Sequence, residues 1–570
     1  MMKKTVMMAL GLIIAISILF STFPLASTRG NSIDFAGTVR PGAGTALTAQ
    51  ADLSDHSTIR IDGDLDLVSA ATAEGWPGNG SVASPFIIEN LEINATHSFN
   101  AIFIGNVTAS FIIANCSLFG ADCADVDGFP FNYGAGITVY NVTGAVIIRN
   151  NLCNEDSEGI FIYGSDSFVL EDNTCNNNDF DGINLYASRS GKVQNNICSG
   201  NANTGIYLGG TSTGNSIDGN ICGGESYGIY LYRSGSNAVT YNVCNNDDHG
   251  ILLSASGNCS VTGNTCGSGT FSGIALEGSN SSVVNGNTCS DNGYYGIFLD
   301  SSSDDTVSGN ICDGNDYYGI FLGGAHSNAV TFNVCDSNSY CGVYLFSSWS
   351  NNVSGNTCDY NEHYGVYLYS ASINNTIQKN ICDGNKEVGI FLFSSGTGNV
   401  LRGNDCSGNG HYGIYLYSSN HTMIGENLCQ SNKYYGIYLY NASSNNTVQG
   451  NVCDANVDSG IFLYLDSRNN TIENNTCSDN GGKGICVLQE CADNIIHGNT
   501  CSGNSEGISV DSTSIGNVVS ANLISTGHEN SGWTWILAGS AVVLAALLGI
   551  FLAMKGKHGV SKRKSRRGRK

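Results

Sequence analysis

Charge is scarce in this 570-residue chain, at 13% of residues, while hydrophobic residues reach 41%. Intrinsic disorder needs the reverse, low hydrophobicity with high charge, so it is excluded. Proline is nearly absent, with 5 residues, and the 73 glycines follow no strict every-third-residue pattern, which excludes a collagen-like triple helix. Basic residues are sparse in the body. Of 24 Lys and Arg, nine lie between Lys555 and Lys570 and two are Lys3 and Lys4, so the stretch from Ser27 to Gly532 sets 13 against all 48 Asp and Glu. A body that acidic repels phosphate backbones, which argues against nucleic acid as a partner. No window repeats apolar residues at i, i+3, i+4 for long enough to make a soluble helix. No His-rich metal motif, serine-hydrolase elbow or phosphate-binding loop occurs. The ten His are scattered; His249, His363 and His411 fall at turns.

The two ends carry membrane signals. Lys3 and Lys4 precede an apolar run from Thr5 to Phe20, and the small residues Ala26 and Ser27 follow. That order is a secretory signal peptide, residues 1–26. From Trp533 to Met554 there are 22 residues without a charge. At about 1.5 Å per residue this crosses a hydrocarbon core of roughly 30 Å. Trp533 and Trp535 suit the outer interface and the basic tail 555–570 the inner one. The expected location is the cell membrane, single-pass, with the body outside and the tail in the cytoplasm.

Between the ends lies one unit many times over. Gly followed by Ile or Val recurs seventeen times from Gly136 to Gly507, at steps of 22 to 24 residues. A second row is sixteen Cys from Cys153 to Cys501, each with Asn two residues earlier. A fixed period of this size means a solenoid rather than separate globular domains. Each unit alternates apolar residues at period two between Gly, Asn, Ser and Asp turns, which predicts about three short strands. The expected architecture is an all-β, right-handed parallel β-helix of about 17 regular coils of ~23 residues, plus one C-terminal transmembrane helix. The expected boundaries are 27–58 linker, 59–135 irregular coils, 136–525 regular coils, 526–532 linker and 533–554 span.

The unit N-x-C-x-x-N-x-x-Y-G-I-Y-L-x-S-S-x-N-x-V-x-x-N resembles the parallel β-helix repeat of the NosD-type family, with Cys where that repeat usually has Ile or Val. The family sits in a wider set of carbohydrate-binding and sugar-hydrolase β-helices. The segment from Gly75 to Ala95 resembles the lead-in seen before such helices in prokaryotic surface proteins. The resemblance covers roughly Ile59 to Ser525 and implies the fold; function varies widely on this fold. The family name implies copper handling, and a thiol row suits soft metals. Against that, Cys fills an apolar slot, where it behaves as a small buried hydrophobe with a raised pKa. The ladder thiols are expected to be reduced and structural, with no metal and no cofactor. Cys116 with Cys123, and Cys486 with Cys491, are short-range pairs suited to disulfides near the two ends, whereas Cys259 and Cys341 have no evident partner.

In the Gly-Ile strand the second and fourth residues after Gly should point outward. Tyr344 and Phe346, Tyr367 and Tyr369, Phe391 and Phe393, Tyr415 and Tyr417, Tyr438 and Tyr440, and Phe462 and Tyr464 then form two aromatic stripes over six coils, flanked by Tyr364, Tyr412 and Tyr435. A contiguous exposed aromatic patch suits sugar faces or a neighbouring surface protein. Stacking that merely stabilises the sheet uses the same residues. For catalysis, glycoside hydrolysis needs two carboxylates about 5 to 9.5 Å apart. Glu277 and Asp300 hold the same outward position in consecutive coils, with Asp304, Asp305 and Asp316 nearby. Turn carboxylates such as Asp313, Asp316 and Asp359 lack a calcium-loop pattern. The expectation is a non-enzymatic surface module that binds polysaccharide or a surface partner, ahead of a polysaccharide hydrolase or lyase and of a copper-handling protein.

Overall fold

A computed structural model describes residues 53–122 and 134–525. The expected signal peptide, the expected span 533–554 with its tail, most of the 27–58 linker and Cys123 lie outside the described residues. Among the described residues no helix is long and apolar enough to cross a membrane. The chain winds as a parallel β-solenoid of about nineteen turns, two more than the Gly-Ile count. The extra two carry Ile59–Asp62 and Asn100–Gly105, which lack the Gly-Ile pair.

Each turn contributes to three sheets. The first holds strands such as Tyr412–Tyr417 and Tyr435–Tyr440, paired in parallel with Ile414 beside Ile437 and Tyr415 beside Tyr438. The second holds three-residue strands such as Thr447–Gln449, whose central residue points inward. The third carries the Cys row, as short strands such as Ile197–Ser199 and Ile221–Gly223 and elsewhere as single bridges. Turns between strands place mostly Asn, Ser, Asp or Gly at positive φ, with bulkier residues such as Tyr241, Phe332 and Tyr360 at some of them. Coils of different length stay in register because the turns absorb the surplus. Ser418 alone has positive φ after Tyr417, whereas Ser370 with Ala371, and Asn441 with Ala442, form the longer turns of 24-residue coils. No Pro occurs beyond Pro130; in the coils it would delete a ladder donor.

The interior is one continuous core. Within a single coil Ile414 and Leu416 from the first sheet, Ile424 from the second and Cys429 from the third are all buried. The repeat glycine is forced by this packing: a Cβ on Gly413 would stand 2.7 Å from the Gly436 carbonyl oxygen and 2.9 Å from the Cys429 Cβ. Turn amides stack between coils. Asn451 donates its Nδ2 to the Ile424 carbonyl at 2.9 Å and to Asn475 Oδ1 at 2.9 Å, and Asn475 Oδ1 also accepts the Asn451 backbone N–H. Every polar atom of such an amide is used, which is what burial demands.

The two ends of the rod differ. At the N-terminal end stands a helix, Asp64–Glu74, which the periodicity did not announce. Only Leu67 and Ala71 face inward, too few for an amphipathic pattern, and they pack with Ile59 and Ile61 over the first coil. The Asp64 carboxylate accepts hydrogen bonds from the Thr108 N–H and hydroxyl, both at 2.7 Å, which ties the helix start to a later coil. At the C-terminal end Val519 and Ile524 pair with Ile496 and Cys501, both fully buried, yet are themselves 47% and 48% exposed.

Candidate functional site

The first sheet displays the aromatic residues. In the stripe two residues after Gly, rings lie nearly parallel from Tyr344 to Phe462. Phe391 and Tyr415 are 4.7 Å apart at 4°, and Tyr415 and Tyr438 are 5.0 Å apart at 8°. The spacing is that of the strands, so each ring covers the next. Tyr344, Phe391, Tyr438 and Phe462 are therefore buried although they point outward, and Tyr367 and Tyr415 are partly so. This corrects the expectation of two exposed stripes. Burial holds the Tyr415 and Tyr438 phenols above their ordinary pKa, so they remain neutral.

The stripe four residues after Gly is the accessible one. Phe346, Tyr369, Phe393, Tyr417, Tyr440 and Tyr464 are all half-exposed. Their stacking is looser: Phe393 and Tyr417 lie 4.6 Å apart at 19°, while Tyr417 meets Tyr440 edge-on at 70°. Further rings escaped the sequence reading. Tyr140, Tyr163 and Tyr186 stack in the same column at 5.0 and 5.7 Å. Phe271, Tyr294 and Tyr317 stack beside the sheet at 4.7 and 4.9 Å. Their signal was their column in the repeat, which three-ring runs made easy to pass over.

Between the two ring groups the outer column turns polar, through Ser254, Glu277, Asp300 and Gly323. Glu277 and Asp300 pair in register, as the spacing predicts. Burial and the adjacent Asp300 raise the Glu277 pKa; burial raises that of Asp300, opposed by the Ser301 hydroxyl. A Cβ on Gly323 would meet the Phe321 ring at 2.8 Å and Asp300 Oδ1 at 3.3 Å, so Gly lets Phe321 lie beside the carboxylate. Asp304 and Asp316 are exposed on turns, whereas Asp305 is buried in an amide row and accepts the Ser282 N–H at 2.7 Å. Asp313, Asp336 and Asp359 are likewise structural acceptors. Asp313 Oδ1 takes the Asp336 N–H at 2.9 Å and Asp336 Oδ1 the Asp359 N–H at 2.8 Å.

All cysteines of the described residues are free and buried. The expected Cys486–Cys491 disulfide is not formed: Cys486 packs on the outer face with Tyr438 and Phe462, while Cys491 points into the core. Cys116 is also a free thiol in the core.

Residues 93–267 and 243–385 match the family model described as periplasmic copper-binding protein (NosD), and 393–524 match right-handed β-helix region. The chain belongs to the NosD family. Its expected repeat type is thereby confirmed. No curated protein matches this NosD-type chain. Among solved structures it is similar to the A-module of the mannuronan C-5 epimerase AlgE6 from Azotobacter vinelandii, at 12% identity over 84% of this chain and 97% of that one, with a TM-score of 0.26. It is also similar to the periplasmic alginate epimerase AlgG, at 12% identity over 83% and 85%, TM-score 0.23, and to the catalytic domain of a GH87 α-1,3-glucanase, at 12% identity over 68% and 67%, TM-score 0.25. At these scores the likeness carries nothing about function.

Among the described residues the copper in the family description finds no fitting donors. The ladder sulfurs are sealed in the core, where burial raises the Cys175 and Cys198 thiols well above their ordinary pKa, whereas hydrogen bonds from Cys222 and Cys266 lower Cys244. A buried protonated thiol is a poor ligand. Among the described residues no group of three or more His, Cys, Asp or Glu is placed to hold a metal ion.

Proposed function

We propose that this chain is a membrane-anchored surface rod that binds polysaccharide without cleaving it, through the outer aromatic stripe. The observation that carries this reading is the column of six half-exposed rings from Phe346 to Tyr464 on a flat parallel sheet. Flat apolar rings with phenolic hydroxyls complement the apolar face and hydroxyl rim of a sugar. The inner stripe supports the outer one and holds it at strand spacing. The anchor is the uncharged stretch 533–554.

The test is binding of the full-length protein to a panel of neutral, basic and acidic polysaccharides, beside a Tyr417→Ala/Tyr440→Ala variant. Both rings are half-exposed, so their loss leaves the fold intact. At least a tenfold weaker affinity, about 1.4 kcal/mol, is expected in the variant. Equal binding by both proteins, or none by either, removes the reading.

The second reading is a hydrolase or lyase centred on Glu277 and Asp300. What favours it is the in-register carboxylate pair beside Phe321, with Glu277 held toward its protonated form. Asp300→Asn should abolish any turnover found on the same panel. Turnover that survives the substitution excludes the pair.

A further inference from the structure

Among the described residues, nothing lies over the apolar C-terminal end of the solenoid. Val519 and Ile524 occupy columns that are fully buried in the coil before, and they are about half exposed. Around them Ile515, Val518 and Leu523 are 71%, 54% and 67% exposed. Among the described residues the strands 518–520 and 523–525 also end their sheets, with one edge of each unpaired. Repeat proteins normally close such an end with a polar cap, because an open apolar end with free strand edges associates. The N-terminal end has its cap in the helix Asp64–Glu74.

Two features of the chain say what covers the open end. The first is distance. Only residues 526–532 separate the last strand from Trp533, where the uncharged stretch begins. Seven extended residues reach about 25 Å, so the open end stays within that distance of the point where the chain enters the bilayer. The second is charge. From Ser512 to Ser525 the final coil has no Asp, Glu, Lys or Arg. An uncharged apolar surface loses little by leaving water for the interfacial region, and Trp533 and Trp535 mark that depth.

We propose that the apolar C-terminal end of the solenoid rests on the lipid–water interface of the membrane that residues 533–554 enter, so that the rod stands on its last coil. The membrane is then the missing cap. This rests on the anchored reading above, and it adds which surface of the rod meets lipid and that the outer aromatic stripe runs away from the membrane rather than along it.

The experiment is site-specific photocrosslinking of the full-length protein in phosphatidylcholine bilayers with clickable acyl chains. The photoreactive residue p-benzoylphenylalanine replaces Val519, Ile524, Tyr360 or Leu544 in turn. Tyr360 is 69% exposed on a mid-rod turn and serves as the solvent control; Leu544 reports the span itself. Lipid adducts at 519 and 524 at least tenfold above those at 360 are expected. Adducts instead to residues 526–554 of the same chain, or to a second copy, overturn the proposal, as does background labelling at both positions. If Leu544 labels lipid while 519 and 524 do not, the docking alone fails. If Leu544 also fails to label, the anchored reading fails with it.

Discussion

From Asn315 to Asn504 nine successive coils place Asn in one buried row, each amide passing a hydrogen bond to the next. In the coils before them the same row reads Asp156, Asn178, Asn201, Glu225, Asp247, Gly269, Asn292. The carboxyls fit by shape. A Cβ on Gly159, Gly182 or Gly319 would meet the Nδ2 of Asn178, Asn201 or Asn338; on Gly136 and Gly228 it would meet Oδ2 of Asp156 and Asp247. An acceptor thus stands where the other coils have a donor, and Asp156 Oδ2 finds no hydrogen-bond partner. Only a proton makes the carboxyl behave as the amide does. Burial accordingly pushes Asp156 up to about 8, and raises Glu225 and Asp247, which lie in adjacent coils. Asp305, in a neighbouring amide row, rises to about 7 for the same reason. The difference teaches that a buried row of this kind selects for donor and acceptor together, and that shape alone satisfies half of it.

The largest effect should come from moving the N-terminal feature into the uniform half. Asn432 Oδ1 accepts from Asn409 N–H at 2.9 Å, and its Nδ2 donates to Asn456 Oδ1 at 3.0 Å. Asn432→Asp should cost roughly 3 kcal/mol at pH 9, where a charged oxygen faces the Asn456 oxygen. Most of that loss should vanish at pH 5. Denaturant melts at the two pH values measure it, and an equal loss at both would contradict the protonated-isostere account.

A smaller change should follow from repairing the irregular half. A carboxyl whose pKa is raised on folding stabilises fully below its unfolded value, near 3.8, and that contribution is lost as pH rises through the folded value. The wild-type protein should therefore melt at lower temperature at pH 9 than at pH 5. Glu225→Gln/Asp247→Asn should flatten that slope and raise the pH 9 melting temperature by several degrees in calorimetry. A slope unchanged by the double variant would place the pH dependence elsewhere.

The smallest difference concerns the rings. Tyr438 is buried between Tyr415 and Phe462 at 5.0 and 5.3 Å, so Tyr438→Ala should cost roughly 2 kcal/mol. Tyr207 meets the next coil's Tyr230 edge-on at 5.5 Å, with Gly209 beside it, so Tyr207→Ala should cost about half as much. Equal losses would mean that the continuous stack adds nothing beyond burial.

Most of the fold was readable because its determinants recur. Gly413, Ile414, Leu416, Ile424 and Cys429 each have equivalents at steps of 22 to 24 residues, and a column repeated that often names its own position. The first two coils and the helix Asp64–Glu74 were harder, since each occurs once. The carboxylate pair Glu277 and Asp300 was legible because in-register pairing follows from the period. Which rings a ligand can reach was not. Tyr438 and Tyr440 look alike in the sequence, and only the spacing between coils makes the first a buried supporting ring and the second an accessible one. The buried Asp156 and Asp247 were hidden among 48 acidic residues; their mark was Asp in a column held mostly by Asn.

In a parallel solenoid the strand-to-strand hydrogen bonds run along the rod, from each coil to the next. A pull on the two ends puts these coils in series, so all carry the same tension and they yield one at a time rather than together. Only the coil at the loaded end gives way at first, and each release frees one unit of about 23 residues, or roughly 80 Å of chain. Such a rod is a mechanical fuse in nineteen steps: it lengthens by whole coils under tension, and each released coil has the still-folded face of its neighbour as the template on which to wind back.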